Sequence, residues 1–180
     1  MEYFTPKREA KGIYEFTHTS GLTLLLIPKP GLNITTANIT YHVGSRNEGL
    51  GVRGATHYLE HGMFKGSKNF NKKLKNGMWK LEEYGAYMNA TTYTDRTNYF
   101  AVIDSDKLDE VVKREADRMF QPLLDACELK KEMTVVRNEF ERGENNDTFY
   151  KPGNATYTFC GNFDTNTVLE MVHDEFSKFE

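Results

Sequence analysis

From Ile13 to Pro28 (IYEFTHTSGLTLLLIP) apolar and polar residues alternate, then run together, broken once at Thr19-Ser20-Gly21. A period of two interrupted by a turn triplet predicts a β-hairpin, and ITTANITYHV at 34–43 predicts a third strand. SRNEGLGVRG is a glycine-rich connector, after which Ala55, Tyr58, Leu59 and Phe64 take up helical spacing that ends near Gly66. KLKNGMWKLEEYG predicts a second helix closed by Gly85. AYMNATTY and TNYFAVID then read as two strands joined by the short TDR turn.

DKLDEVVKREADRMF predicts a helix with Ser105 or Asp106 as its cap, stopped by Pro122, with Leu108, Val111, Val112, Ala116 and Met119 on one side. ELKKEMTVVRNEFERGEN is a further helix, NATYTFCGNFD a strand and turn, and TVLEMVHDEFSKF a closing amphipathic helix. The order βββ-α-α-ββ-α-α-β-α describes an α+β fold whose largely antiparallel sheet is covered by helices. Trp79, Tyr84 and Met88 read as core.

Composition narrows this picture rather than redrawing it. The 180 residues are 38% hydrophobic, 13% aromatic and 27% charged, a globular profile with a real core. Lys plus Arg number 23 and Asp plus Glu 26, and the net charge of -3 offers no strong overall field to nucleic acid or an anionic membrane. Cys127 and Cys160 form neither a disulfide framework nor a CxxC pair, which suits a reducing compartment. The longest apolar run, LTLLLI, is too short to span a bilayer, and MEYFTPKREAK has no apolar signal core, so the expectation is a cytoplasmic protein. The Asn-x-Thr sites at Asn33, Asn38, Asn89, Asn146 and Asn154 read as ordinary strand and turn residues.

The chemistry concentrates in HYLEH at 57–61. Residues four apart on a helix are stacked neighbours roughly 5–6 Å apart, so His57 and His61 can converge on one zinc ion. Glu60 projects from nearly the same face and is placed to act as general base toward a water and then as acid toward the leaving amine. Only five histidines occur in the chain, which makes two of them flanking a glutamate at this spacing improbable by chance. A catalytic zinc needs a third protein ligand. The acidic helix offers Glu128, Glu132, Glu139, Glu141 and Glu144 without distinguishing among them.

HYLEH and the blocks around it resemble the pitrilysin/insulinase family of metallopeptidases, whose HxxEH motif inverts the usual zincin order. VGSRNEG, GATHYLEHGMFKGS, GAYMNATTYTDRTNYF and EMTVVRNEFERGEN follow one another in the family's order, and NATYTFCGNFD is similar to its later strand and turn. The resemblance implies a zinc-dependent endopeptidase acting on extended or unfolded peptides, with one Zn2+ per chain held by His57, His61 and Glu139. It assigns Glu60 as the catalytic base and Glu132, two helical turns before Glu139, as a supporting carboxylate that either orients a histidine or assists the base. It also implies that an extended peptide adds alongside Asn89, Ala90 and Thr91 through main-chain hydrogen bonds.

Two departures from the family qualify that expectation. ENNDTFYKPGNAT joins the acidic helix almost directly to the last strand where relatives carry several dozen residues, so the strand and helix after 153 are open to packing differently or less firmly. The chain is expected to be one metallopeptidase-like domain over 1–180, with the zinc-site part at about 1–146 and a shortened strand-helix part at about 147–180. It also resembles only the zinc-bearing half of the family's arrangement, in which a related half faces the site and stabilises the oxyanion. The implied partner besides peptide substrate is therefore a homodimer mate or a second related half. The rival reading is a noncatalytic subunit that keeps the fold as partner or scaffold; a purely structural zinc is a third, disfavoured by the open fourth position that three protein ligands leave.

Overall fold

A computed structural model of the chain describes residues 3–49, 55–123 and 151–179. Its seven strands are β1 (Phe4–Ala10), β2 (Ile13–His18), β3 (Thr23–Pro28), β4 (Ile34–Tyr41), β5 (Tyr87–Thr92), β6 (Thr97–Asp104) and β7 (Ala155–Gly161). They form one sheet in the order β1-β2-β3-β7-β4-β6-β5. Every pairing is antiparallel except β3 with β7. The helices among the described residues are α1 (Ala55–Met63), α2 (Lys80–Glu83), α3 (Leu108–Phe120) and α4 (Thr165–Phe176). The α+β class and the largely antiparallel sheet agree with expectation.

Alternation decides which face of the sheet becomes core. On β4, Thr35, Ala37, Ile39 and Tyr41 point inward, and on β6 so do Thr97, Tyr99, Ala101 and Ile103. The inward residues pair directly across the two strands, Ile39 with Tyr99 and Ala37 with Ala101. Helix α3 lays its predicted stripe of Leu108, Val111, Val112, Ala116 and Met119 on this face, all five buried. At its last turn the buried Arg118 pairs with Glu115 and lies over the Tyr99 ring, 4.2 Å from its centroid. Burial pushes the Glu115 carboxyl up even beside that guanidinium.

The part after residue 153 is not loosely held. β7 enters the middle of the sheet, in register with β3 over Thr156–Gly161 and with β4 over its full length. α4 closes over it, with the Phe176 ring 6.3 Å from Tyr157 and 6.0 Å from Phe120. Gly161 is required where β7 passes β4: a Cβ there would lie 2.5 Å from the Thr35 Cα.

Four local expectations need correction. β1 was not anticipated from the sequence; Pro6, Lys7 and Arg8 carry no apolar alternation, and the strand sits at a sheet edge with a register shift between Pro6 and Arg8. The second helix shrinks to Lys80–Glu83 because Asn71 bonds the Leu74 N–H through its side chain and Lys75 turns to a φ of 55°. Trp79 and Tyr84 are exposed rather than core, while Met88 does pack against the core. Ser105 and Asp106 form a 3-10 turn with Lys107, so α3 starts at Leu108 with no side-chain cap. The acidic helix expected at 128–145 lies outside the described residues.

Candidate active site

Helix α1 crosses the β5–β6 edge of the sheet and buries Leu59 and Met63 beneath it. Side chains of that size each contribute roughly 1.5–3 kcal/mol on burial, enough to fix how the short helix is rotated. That rotation directs His57 and His61 away from the core. Their Nε2 atoms lie 3.2 Å apart, with ring planes at 79°. Two Zn–N bonds of about 2.05 Å at a tetrahedral angle hold their nitrogens about 3.3 Å apart, so this pair fits a zinc ion.

Glu60 turns from the same helix toward β5 and is only 8% exposed. Its Oε2 accepts a hydrogen bond from the Thr92 hydroxyl, which restricts the carboxylate to one orientation. The start of α1 is held by Glu48, whose Oε1 accepts from the Thr56 N–H at 3.0 Å and the Thr56 hydroxyl at 2.6 Å. A carboxylate there satisfies otherwise unpaired amide groups and suits the positive end of the helix. It thus anchors the residue immediately before His57.

The loop carrying Glu48 is fastened to the β5–β6 turn. Ser45 N–H donates to Tyr93 O at 3.1 Å and Arg46 N–H to Thr94 O at 2.9 Å, while the Thr97 hydroxyl donates to Val43 O at 3.0 Å. Gly44 permits this approach, since a Cβ would sit 2.1 Å from the Tyr93 carbonyl. Between loop, helix and strand opens a cleft of about 600 Å³ lined by Glu48, His57, Glu60, Ala90, Thr91 and Thr92 among others.

β5 is an edge strand, as a peptide-pairing site requires. Its three expected substrate residues do not share a face: Ala90 is buried, Asn89 is exposed and Thr91 half-buried on the opposite side. Only the backbone of this edge can present them together. Asn89 Oδ1 accepts from the Ala90 N–H at 2.8 Å. The structure thus brings His57 and Glu60 to one cleft beside Ala90 and Thr91, with the His61 ring set against His57. Glu132 and Glu139 lie outside the described residues, and among the described residues no three His, Cys, Asp or Glu side chains gather as a metal-holding group.

Thr92 and Glu48 were missed from the sequence. Thr92 follows the three strand residues directly, and strict alternation from buried Ala90 would have turned it toward the helix. Glu48 carried no local signal, because its partner Thr56 is eight residues further on.

The chain is similar to known peptidases. Mouse insulin-degrading enzyme is 30% identical over 143 residues, covering 79% of this chain and 14% of that protein. A protein of Rickettsia bellii described as an uncharacterized zinc protease is 30% identical over 127 residues, covering 71% of this chain and 30% of its own length. The chain therefore spans well under half of either relative. The crystal structure of pitrilysin superposes with a TM-score of 0.82 at 21% identity, covering 98% of this chain and 24% of pitrilysin. The sequence profile described as Insulinase (Peptidase family M16) matches residues 24–158, and with three quarters of its length inside that match this chain belongs to the insulinase peptidase family.

Proposed function

We propose that this chain is the zinc-bearing part of an endopeptidase acting on extended or unfolded peptides. The observation that carries the proposal is the approach of the two Nε2 atoms to 3.2 Å beside a buried, oriented carboxylate in a cleft bordered by an edge strand. His57, His61 and Glu139 would hold one Zn2+, and Glu132 would support them. Zn2+ supplies Lewis-acid activation of water and of the scissile carbonyl. Glu60 takes the proton from the attacking water and delivers it to the departing amine nitrogen. The Thr92 hydroxyl keeps the Glu60 carboxylate aimed during both transfers. The β5 backbone at Asn89, Ala90 and Thr91 aligns substrate as an added strand. A second half, from a homodimer mate or another chain, completes oxyanion stabilisation.

A noncatalytic partner role is favoured only by the short span of the chain against its relatives. Elemental analysis of the purified chain, paired with cleavage of a quenched unstructured peptide by wild type and Glu60→Gln, separates the two. The peptidase reading expects zinc in both proteins and a loss of about 10²–10⁴-fold in the variant. Zinc without cleavage by either protein, with and without an added second half, would sink it.

A further inference from the structure

The net charge of -3 averages over a very uneven distribution. Between His61 and Leu81 stand Lys65, Lys68, Lys72, Lys73, Lys75 and Lys80, with no arginine, aspartate or glutamate. Lys80 is neutralised by Glu83. Lys68, Lys72, Lys73 and Lys75 are exposed, and none pairs with a carboxylate among the described residues. In their midst Leu74 is 57% exposed, and Trp79 at the end of the loop is 37% exposed.

This loop is built, not slack. The buried Asn71 donates to Ser67 O at 3.1 Å and Lys68 O at 3.0 Å, and its Oδ1 accepts from the Leu74 N–H at 3.1 Å. Asn76 accepts from the Asn71 N–H at 3.2 Å and donates to Asn69 O at 2.9 Å. Asn69 in turn donates its N–H and side-chain amide to Asp117 of α3, at 3.0 and 2.6 Å. Lys75 adopts a φ of 55°, a conformation uncommon outside glycine and asparagine. Three asparagines and a strained backbone therefore hold a leucine outward among lysines.

Composition selects the partner. Discrete phosphate or carboxylate sites favour the rigid fork of arginine, absent from this segment, whereas hydrated lysines on flexible stems suit a diffuse anionic surface. An exposed leucine gains little from a nucleic-acid backbone but gains by leaving water for an acyl boundary, and tryptophan suits the headgroup layer. We infer that residues 68–79 form a peripheral docking surface for an anionic phospholipid bilayer, with the four lysines on headgroups and Leu74 inserted. No helix among the described residues is long and apolar enough to cross a membrane. This revises the expectation, drawn from net charge, that membranes are not partners.

The test is co-sedimentation of the purified chain with vesicles of phosphatidylcholine, with and without phosphatidylserine, at low and high salt. Wild type should bind only the mixed vesicles and release in salt. Replacing Lys72, Lys73 and Lys75 together by Gln should weaken partition about a hundredfold. Leu74→Ser should weaken it about tenfold while keeping the salt dependence. Both variants should melt like wild type, because the altered side chains are exposed. Absence of binding to the mixed vesicles, equal binding by the triple variant, or lysine-dependent capture on heparin without capture on vesicles would overturn the assignment.

Discussion

His57 and His61 bring two imidazole nitrogens to 3.2 Å on one turn of α1, and His18 Nε2 meets His173 Nδ1 at 2.9 Å between β2 and α4. The distances nearly match, but the surroundings do not. His18 is 1% exposed, with its Nδ1 2.8 Å from the Ser20 hydroxyl and accepting from the Ser20 N–H at 3.2 Å. His173 Nδ1 also lies 2.8 Å from the Ser177 hydroxyl, and its ring is stacked by Tyr3 at 3.6 Å between centroids. That pair is a polar rivet between sheet and helix, engaged by serines and covered by aromatic rings. The α1 pair lies instead beside an open cleft and an oriented carboxylate. Two close imidazoles do not make a metal site; what surrounds them decides.

The strongest way to break this contrast is to truncate one ring from each pair. His61→Ala should empty the chain of zinc and lower peptide cleavage about a thousandfold or more. His173→Ala should retain zinc, measured by elemental analysis, and change cleavage less than about twofold. Loss of zinc from the second variant would erase the distinction. Stability should show the reverse order: His18→Ala should cost about 2 kcal/mol in urea unfolding by stranding buried partners, and His57→Ala in metal-free protein within about 0.5 kcal/mol.

Thr92→Val sharpens the picture of the cleft, since it removes only the hydroxyl that orients Glu60. Cleavage should fall about tenfold with zinc content unchanged. The smallest effect concerns the helix that carries His173. Asp164 caps α4, and the hydrogen bond from the Thr167 N–H holds its carboxyl below its ordinary value. A carboxyl lowered in the folded state adds stability that is present above its unfolded value and lost as pH falls through the folded one. Asp164→Asn should therefore lower Tm slightly at neutral pH and flatten the acid-side decline. An unchanged acid slope in thermal melts would count against the cap.

Much of the fold was readable because its signals are local. Alternation in ITTANITYHV and TNYFAVID located β4 and β6, and the stripe from Leu108 to Met119 located the buried face of α3. β1 escaped because an edge strand buries little and need not alternate. The loop at 64–79 escaped because its conformation depends on Asn71 and Asn76 bonding backbone several residues away. The proximity of His57, Glu60 and His61 was readable for a different reason, since helical spacing alone sets it.

The amino-acid order thus determined every relation whose geometry one helix or strand enforces: the neighbouring histidines, the adjacent glutamate, and the inward faces of β4, β6 and α3. Only the tertiary structure decided relations between distant segments. These are the seating of β7 between β3 and β4, the Thr92 bond to Glu60, Glu48 at the head of α1, and the burial of His18 against His173. The physical reason is that helix and strand periods repeat within a few residues, whereas burial and long-range hydrogen bonds are chosen by whichever packing of the whole chain removes the most apolar surface from water while leaving polar groups paired.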